Sequence, residues 1–413
     1  MYPSSQSNMY LTLAWRNIWR NKRRSLITIL SITFAVLLAC VMRSMQLGSY
    51  DRMIENGVRF YTGYIQIHKK GYWDEKVIDN SFALDTSLIN KITTLPGVVT
   101  YVPRLESFAF AALENQTKGT LVMGVDPVNE NEMTRLRSKL VMGNYLKADD
   151  DGVLVAQGLA DYLNAKPGDT LTLIGQGYRG AAAAGLFPVR GIVKFATPQQ
   201  NNQLICMSLA QAQWFYAADG LTSSVALMIE DPKDTDRIVH SINQAISPND
   251  YEVMGWKELV PELVQSIELD NISGKVMLWV LYLVIGFGMF GTYLMMTAER
   301  QYEFSVMIAV GMKRIRLQGV IFLEIFLMTI MGVFAGIALS LPLLIWFHFN
   351  PIRFGEEAAK AIESFGVEAI YAFSLDPVIF SNQAYAIFIM ATILSVYPLW
   401  KIHKMKVVES IHG

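Results

Sequence analysis

The sequence predicts an α-helical membrane protein with four transmembrane helices and a large extracytoplasmic α+β domain of two lobes between helices 1 and 2. Three observations predict it. The 413 residues are 52% hydrophobic and only 17% charged, where soluble domains carry about 25% charged residues. The apolar residues gather in four blocks, 26–45, 276–297, 317–347 and 378–399; a bilayer core of about 30 Å takes roughly 20 helical residues to cross. The net charge is only −1, yet the charges are sorted. Arg16, Arg20, Lys22, Arg23 and Arg24 precede the first block with no acid among them. Arg300, Lys313, Arg314 and Arg316 outnumber Glu299 and Glu303 between the second and third, and Lys401, Lys404 and Lys406 outnumber Glu409 after the fourth. Glu356, Glu357, Glu363, Glu368 and Asp376 outnumber Arg353 and Lys360 between the third and fourth. Cytoplasmic loops carry the excess of Lys and Arg. Both termini and residues 298–316 are therefore expected inside, and residues 48–275 and 348–377 outside.

Residues 1–25 predict a helix lying at the membrane surface. Leu11, Ala14, Trp15, Ile18 and Trp19 fall on one arc, with Arg16, Arg20, Arg23 and Arg24 opposite. Trp15, Arg16, Trp19, Arg20, Arg23 and Arg24 make an interfacial anchor, tryptophans at headgroup depth and arginines toward anionic lipid. The next segment, RNKRRSLITILSITFAVLLACVM, has the outline of a lipoprotein signal ending at Cys40. The structured segment before it and the helical pattern after it favour an uncleaved first span over 26–47, with Cys40 a small buried residue. That helix is expected to run on as a stalk to about Phe60.

The outer domain, 48–275, reads as two strand–helix–strand units around a β-rich middle. Strands are expected at 63–69, 98–103, 120–125, 153–156, 170–174, 189–195, 204–207, 223–229 and 251–254. Helices are expected at 85–95, 157–163, 209–216 and 234–246, with a turn at Pro167-Gly168-Asp169. A second stalk helix, 256–275, leads into span two, 276–297. Residues 298–316 form a cytoplasmic helix, 317–347 span three, 348–377 an outer loop, 378–400 span four and 401–413 a cytoplasmic tail. Cys40 and Cys206 are the only cysteines, too far apart in depth to pair.

GQGYRG at 175–180 matches G-x-G-x-x-G formally, but a dinucleotide site needs a helix next. Pro188 stops any helix, and 189–195 reads as the return strand of a hairpin. Gly175, Gly177, Tyr178, Gly180 and Phe187 are instead candidates for a protein-docking hairpin tip. No phosphate-cradling loop, H-E-x-x-H or Cys-x-x-Cys motif occurs, and the 5 histidines are scattered. No cofactor, metal or catalytic residue is expected in this chain. Glu324, inside span three, is a functional candidate by its position, and structural or coupling roles suit it better than proton relay. In TAERQYEFSVMIAVGMKRIRLQG, Glu299, Arg300 and Glu303 mark a polar helical face, and Phe304, Met307 and Ile308 an apolar one. That apolar face needs a cover of lipid or a protein groove, and Gly311 permits a sharp turn.

This loop resembles the coupling helix of FtsX-like ABC transporter permeases, with Glu299, Arg300, Glu303, Phe304, Ala309, Gly311, Arg314 and Leu317 on the pattern. LAWRNIWRNKRRSLITIL and YPLWKIHKMKVVESI resemble the family's entry and closing segments. DGVLVAQGLADYLNAKPGDTLTLI, VRGIVKF, LICMSLAQAQWFY and VMGVDP are similar to the lipoprotein-releasing (LolC/LolE-type) branch. The resemblance implies a MacB-like periplasmic domain and a bacterial inner-membrane permease that carries no ATPase of its own. It implies that Glu299, Arg300, Glu303, Phe304, Met307, Ala309, Gly311 and Arg314 engage a separate P-loop ATPase dimer, which holds Mg-ATP. It implies a second permease copy or paralogue, and a periplasmic carrier docked on hairpin 175–188. The implied work is extraction of lipoproteins or another amphiphile. Alternatives are an FtsX-type complex that transmits force to a periplasmic hydrolase and MacB-like efflux of peptides or toxins.

Overall fold

The computed structural model describes residues 4–20, 22–195, 197–355 and 370–405. Glu356, Glu357, Lys360, Glu363, Glu368, Lys406 and Glu409, counted above for charge, lie outside the described residues. The chain divides into two compact units. One comprises residues 1–51, 268–352 and 370–413, the other residues 52–267 and 353–369.

The first unit is helical. A helix over Ser4–Arg20 precedes four helices long and apolar enough to cross a membrane: Lys22–Val58, Pro261–Glu299, Arg314–Phe349 and Pro377–Lys404. They contain the four expected apolar blocks and are called spans one to four. Span one is α-helical to Ile54 and closes in a π-helical turn, Glu55–Thr62, ended by Gly63 at φ 75°. Span two begins at Pro261, directly after the short helix Trp256–Leu259. Spans one and three meet where glycines remove side chains. A Cβ on Gly332 would lie 2.6 Å from Cβ of Ile32, and one on Gly336 2.6 Å from Cβ of Val36. Small residues four apart let helices in lipid approach this closely. Cys40 is buried in the same core, with Ile32, Val36, Met289, Tyr293 and Ile325. Span two instead exposes Val276, Trp279, Val280, Leu283, Val284 and Phe287, an apolar surface suited to lipid or another helix.

The second unit carries one sheet of ten strands in the order β12-β1-β11-β3-β4-β9-β6-β8-β5, with β7 pairing β3 and β8. The strands are β1 Ile65–Lys69, β3 Val98–Leu113, β4 Gln116–Val125, β5 Leu140–Gly143, β6 Val153–Ala156, β7 Thr170–Gln176, β8 Ala182–Val193, β9 Leu204–Ser208, β11 Ser224–Ile229 and β12 Tyr251–Gly255; β2 Phe82–Ala83 and β10 Leu221–Thr222 pair apart from it. Pairs β4–β9 and β6–β8 are parallel and the rest antiparallel. Two apolar cores lie along this single sheet. One gathers Ile65, Ile67, Val102, Val225, Leu227 and Ile238, the other Leu105, Val122, Val153, Leu171, Phe187 and Ile205. Between Val102 of one and Leu105 of the other, fully buried Arg104 reaches Glu130 through Nε at 3.0 Å and Nη2 at 2.8 Å. This two-pronged geometry is the form in which a charge pair tolerates burial.

Helices Thr86–Thr93, Gln157–Leu163, Leu209–Phe215 and Thr235–Ala245 fall where the sequence put them. Asp85 accepts the Ser87 N–H at 3.3 Å and so caps the first. Gly168 takes φ 101° in the turn before β7. β3 is far longer than the expected 98–103. Its second half alternates buried Ser107, Ala109 and Ala111 with exposed Phe108 and Phe110, so the small residues face inward and the pattern reads inverted. His68 is a core residue. It stacks on Tyr72 and Trp73, bonds Gln66 through Nε2 at 2.8 Å, and burial lowers its pKa to about 3.

Candidate functional site

Span two stops at Glu299, and a short helix, Gln301–Ala309, runs from there toward span three. Arg300, at φ −97° and ψ 9°, is the break between them. Gly311, at φ 107°, makes the second turn, a conformation that side chains with a Cβ resist. The connector's helix is thus 9 residues long, shorter than the expected 298–316, because Arg300 and Gly311 leave the helical path.

Among the described residues, four ion pairs hold it. Arg300 is 3% exposed, and its Nη1 lies 2.8 Å from each carboxylate oxygen of Glu324, itself 2% exposed. Glu303 pairs with Arg20 and, at 3.3 Å, with Arg300. Glu299 pairs with Arg24. At the far turn, Arg314 donates to the carbonyls of His403 and, at 2.7 Å, Met405. The short helix and the residues flanking it are therefore tied to the N-terminal helix, span one, span three and the residues that end span four.

This changes two sequence expectations. The arginines assigned to lipid divide: Arg16 and Arg23 are exposed, whereas Arg20 and Arg24 have acidic partners on the connector. The apolar arc divides as well. Ala14 and Ile18 are buried, while Leu11, Trp15 and Trp19 are about half exposed, the two rings edge-to-face at 5.9 Å. The sequence set anchor and connector apart because their pairing acids lie hundreds of residues away.

The second correction concerns the connector's apolar face. Phe304, expected to seek a cover, is 1% exposed and lies under the Arg300 guanidinium. Met307 and Ile308 pack partly against the same core. The free apolar side chains are Tyr302, Val306 and Val310, the last 84% exposed. They recur every four residues and so share one face. Ala309 and Gly311 are exposed beside them.

The hairpin 175–188 also differs from a free tip. β7 and β8 pair from Thr170 with Pro188 up to Gln176 with Ala182, so the turn is 177–181. Tyr178 donates its backbone N–H to the Tyr216 carbonyl at 2.8 Å, and Arg179 donates its own to Asp79 at 2.6 Å. A Cβ on Gly177 would sit 2.5 Å from the Tyr216 carbonyl oxygen, and Gly180 takes φ 78°. These glycines serve a turn docked on its own domain, and Gly175 lies close over β3. Phe187 is not at the tip at all. It is fully buried near the base, edge-to-face with Phe215 at 5.2 Å. The strand alternation that buries Phe187 leaves Leu186 70% exposed.

A family model described as the MacB-like periplasmic core domain matches residues 25–245. A second, the FtsX-like permease C-terminal, matches residues 275–407 and so covers the connector. The lipoprotein-releasing system transmembrane protein LolC of Neisseria meningitidis serogroup B is 21% identical over 277 residues, 64% of this chain and 66% of its own length, just under two thirds. Among solved structures, the periplasmic region of MacB from Actinobacillus actinomycetemcomitans is 15% identical, covers 52% of this chain and 95% of that one, and has a TM-score of 0.36. The extracellular domain of the noncanonic ABC-type transporter YknZ from Gram-positive bacteria is 13% identical, covers 47% of this chain and 100% of that one, and has a TM-score of 0.35. The family models decide the matter: the chain belongs to the FtsX-like ABC transporter permeases that carry a MacB-like periplasmic core domain.

Proposed function

We propose that the chain transmits ATP-driven motion from a separate ATPase dimer, loaded with Mg-ATP, to its sheet domain. In doing so it extracts lipoproteins or another amphiphile from the outer leaflet of the inner membrane for a periplasmic partner. Both termini and the connector then face the cytoplasm, and a second copy or paralogue completes the permease. The observation that carries this reading is the connector's division of labour. Its ion pairs join it to the other helices of its unit, and its Tyr302–Val306–Val310 face stays uncovered. A lever needs one rigid attachment and one free contact, and an apolar helical face is a common form of such a contact. The likeness to LolC supports a lipoprotein as the cargo.

The test is copurification of an ATPase with the tagged full chain. Tyr302→Asp with Val310→Asp is expected to abolish it while membrane insertion and thermal stability persist. Normal ATPase recovery with this double variant would refute the docking face. Stimulation of the complex's ATPase activity by a lipoprotein, and not by peptide, checks the cargo.

A further inference from the structure

A second polar cluster lies at the opposite end of span one from Arg24. Arg43 is nineteen residues on, about 28 Å at the helical rise, close to the thickness of a hydrocarbon core. Its Nη1 donates to Gln46 Oε1 at 2.6 Å and to Asn271 Oδ1, on the helix of span two, at 2.9 Å. Gln46 in turn donates to the Asp270 carbonyl at 3.0 Å and its carboxylate at 3.2 Å. The Tyr50 hydroxyl donates to the same carboxylate at 2.7 Å. Close approach makes this possible: a Cβ on Gly274 would sit 1.9 Å from Gln46 Nε2.

The arrangement fixes the guanidinium without consuming it. Both hydrogen bonds leave from Nη1, and among the described residues none leaves from Nε or Nη2. No carboxylate of the described residues lies at ion-pairing distance from Arg43. Nε–H and one Nη2–H form the parallel fork that takes a phosphate or carboxylate two oxygens at a time. The setting is amphiphilic. Leu269, Ile272 and Val276, on both sides of Asn271 along the helix, are each about 60% exposed, and Trp279 is 75% exposed one turn further on. Apolar surface beside a fixed cation, a membrane thickness from the basic end, matches acyl chain beside headgroup.

We propose that the Nε/Nη2 edge of Arg43 binds the phosphodiester of a phospholipid headgroup, with the acyl chains along Ile272, Val276 and Trp279. This rests on the permease reading only in taking these helices to cross a bilayer. Gln46 and Asn271 are positioning residues, which hold the fork open toward lipid.

The experiment is native mass spectrometry of the detergent-purified full chain titrated with phosphatidylglycerol or with diacylglycerol of the same acyl chains. Wild type should retain phosphatidylglycerol about tenfold better than Arg43→Gln, the scale of a charged hydrogen-bonded contact. Diacylglycerol should not separate the two. Arg43→Lys, which keeps the charge and loses the fork, should fall between. Equal phosphatidylglycerol retention by wild type and Arg43→Gln would overturn the proposal. So would full displacement of the lipid by inorganic phosphate, which would make the ligand a free anion. Should Arg43→Gln not fold, Asn271→Ala keeps the charge and frees the fork, and its undiminished lipid retention would equally overturn it. ATPase copurification with the wild-type chain separates the two readings, because no ATPase recovered with lipid selectivity intact refutes coupling alone.

Discussion

The connector helix and the periplasmic hairpin were both expected to present a phenylalanine to a partner, and in both the phenylalanine turns inward. Phe304 and Phe187 are 1% and 0% exposed. What is left outside differs with the backbone. On the helix, burying Phe304 leaves a continuous face, Tyr302, Val306 and Val310, because residues four apart stack. On the strand, burying Phe187 leaves Leu186, backed across the hairpin by Thr172. The attachments differ too. Side-chain ion pairs hold the helix, whereas backbone hydrogen bonds to Tyr216 and a carboxylate of Asp79 hold the turn. A device held by charges can be retuned by single substitutions; one held by its backbone is part of the domain's own stability.

The most severe way to test that contrast is to remove the anchors. Phe187→Ala should destabilise the sheet domain by about 3–5 kcal/mol, the cost of truncating a core aromatic. Leu186→Ser, its exposed neighbour, should change stability by less than about 0.5 kcal/mol. Thermal unfolding of the full chain in detergent, followed by the domain's protease resistance, reads both. A Phe187→Ala protein as stable as Leu186→Ser would restore the hairpin to the role of a free tip.

How much of this was legible in the residues themselves depended on range. The spans were, because a block of about twenty apolar residues with at most one charge has few other uses. The cap at Asp85 and the turn at Gly168 were, because local chemistry sets them. The second half of β3 was not, because Phe108 and Phe110 point out and alanines point in. A one-sided hydrophobic pattern gives the period of a strand but not which side faces the core. The connector's position was legible and its orientation was not. Phe304, Met307 and Ile308 make an apolar face on paper, and so do Tyr302, Val306 and Val310. Only Arg300, drawn to Glu324, decides between them.

That pair gives the next test. Glu324→Gln leaves the buried Arg300 guanidinium without its buried counter-charge, with only the part-exposed Glu303 carboxylate at 3.3 Å, which should cost about 3 kcal/mol. Adding Arg300→Met should recover much of the loss, since no unpaired charge is then left buried. A double-mutant cycle on thermal stability measures the coupling. If Glu324→Gln alone matches wild type, the pair does not fix the connector, and the assignment of its outer face falls with it.

The smallest effect on stability belongs to Arg20 and Glu303, and it bears most directly on function. Both side chains are about half exposed, so reversing Arg20 should cost less than about 1 kcal/mol, whereas reversing Glu303 costs more because it also faces the buried Arg300 guanidinium at 3.3 Å. Yet the pair links the N-terminal helix to the connector, and Arg24 with Glu299 does the same for span one. If these links carry motion, Arg20→Glu should lower transport per ATP hydrolysed while leaving ATPase docking and melting temperature near wild type. Glu303→Arg should also lower transport per ATP hydrolysed, and the two together should restore coupling by re-forming the pair in reverse. Lipid anchoring makes a different prediction: Arg20→Glu would then stay defective whatever stands at 303, because an acid at position 20 repels anionic headgroups in every background. Rescue by the second charge change therefore distinguishes a residue that serves the lever from one that only holds the helix to the membrane.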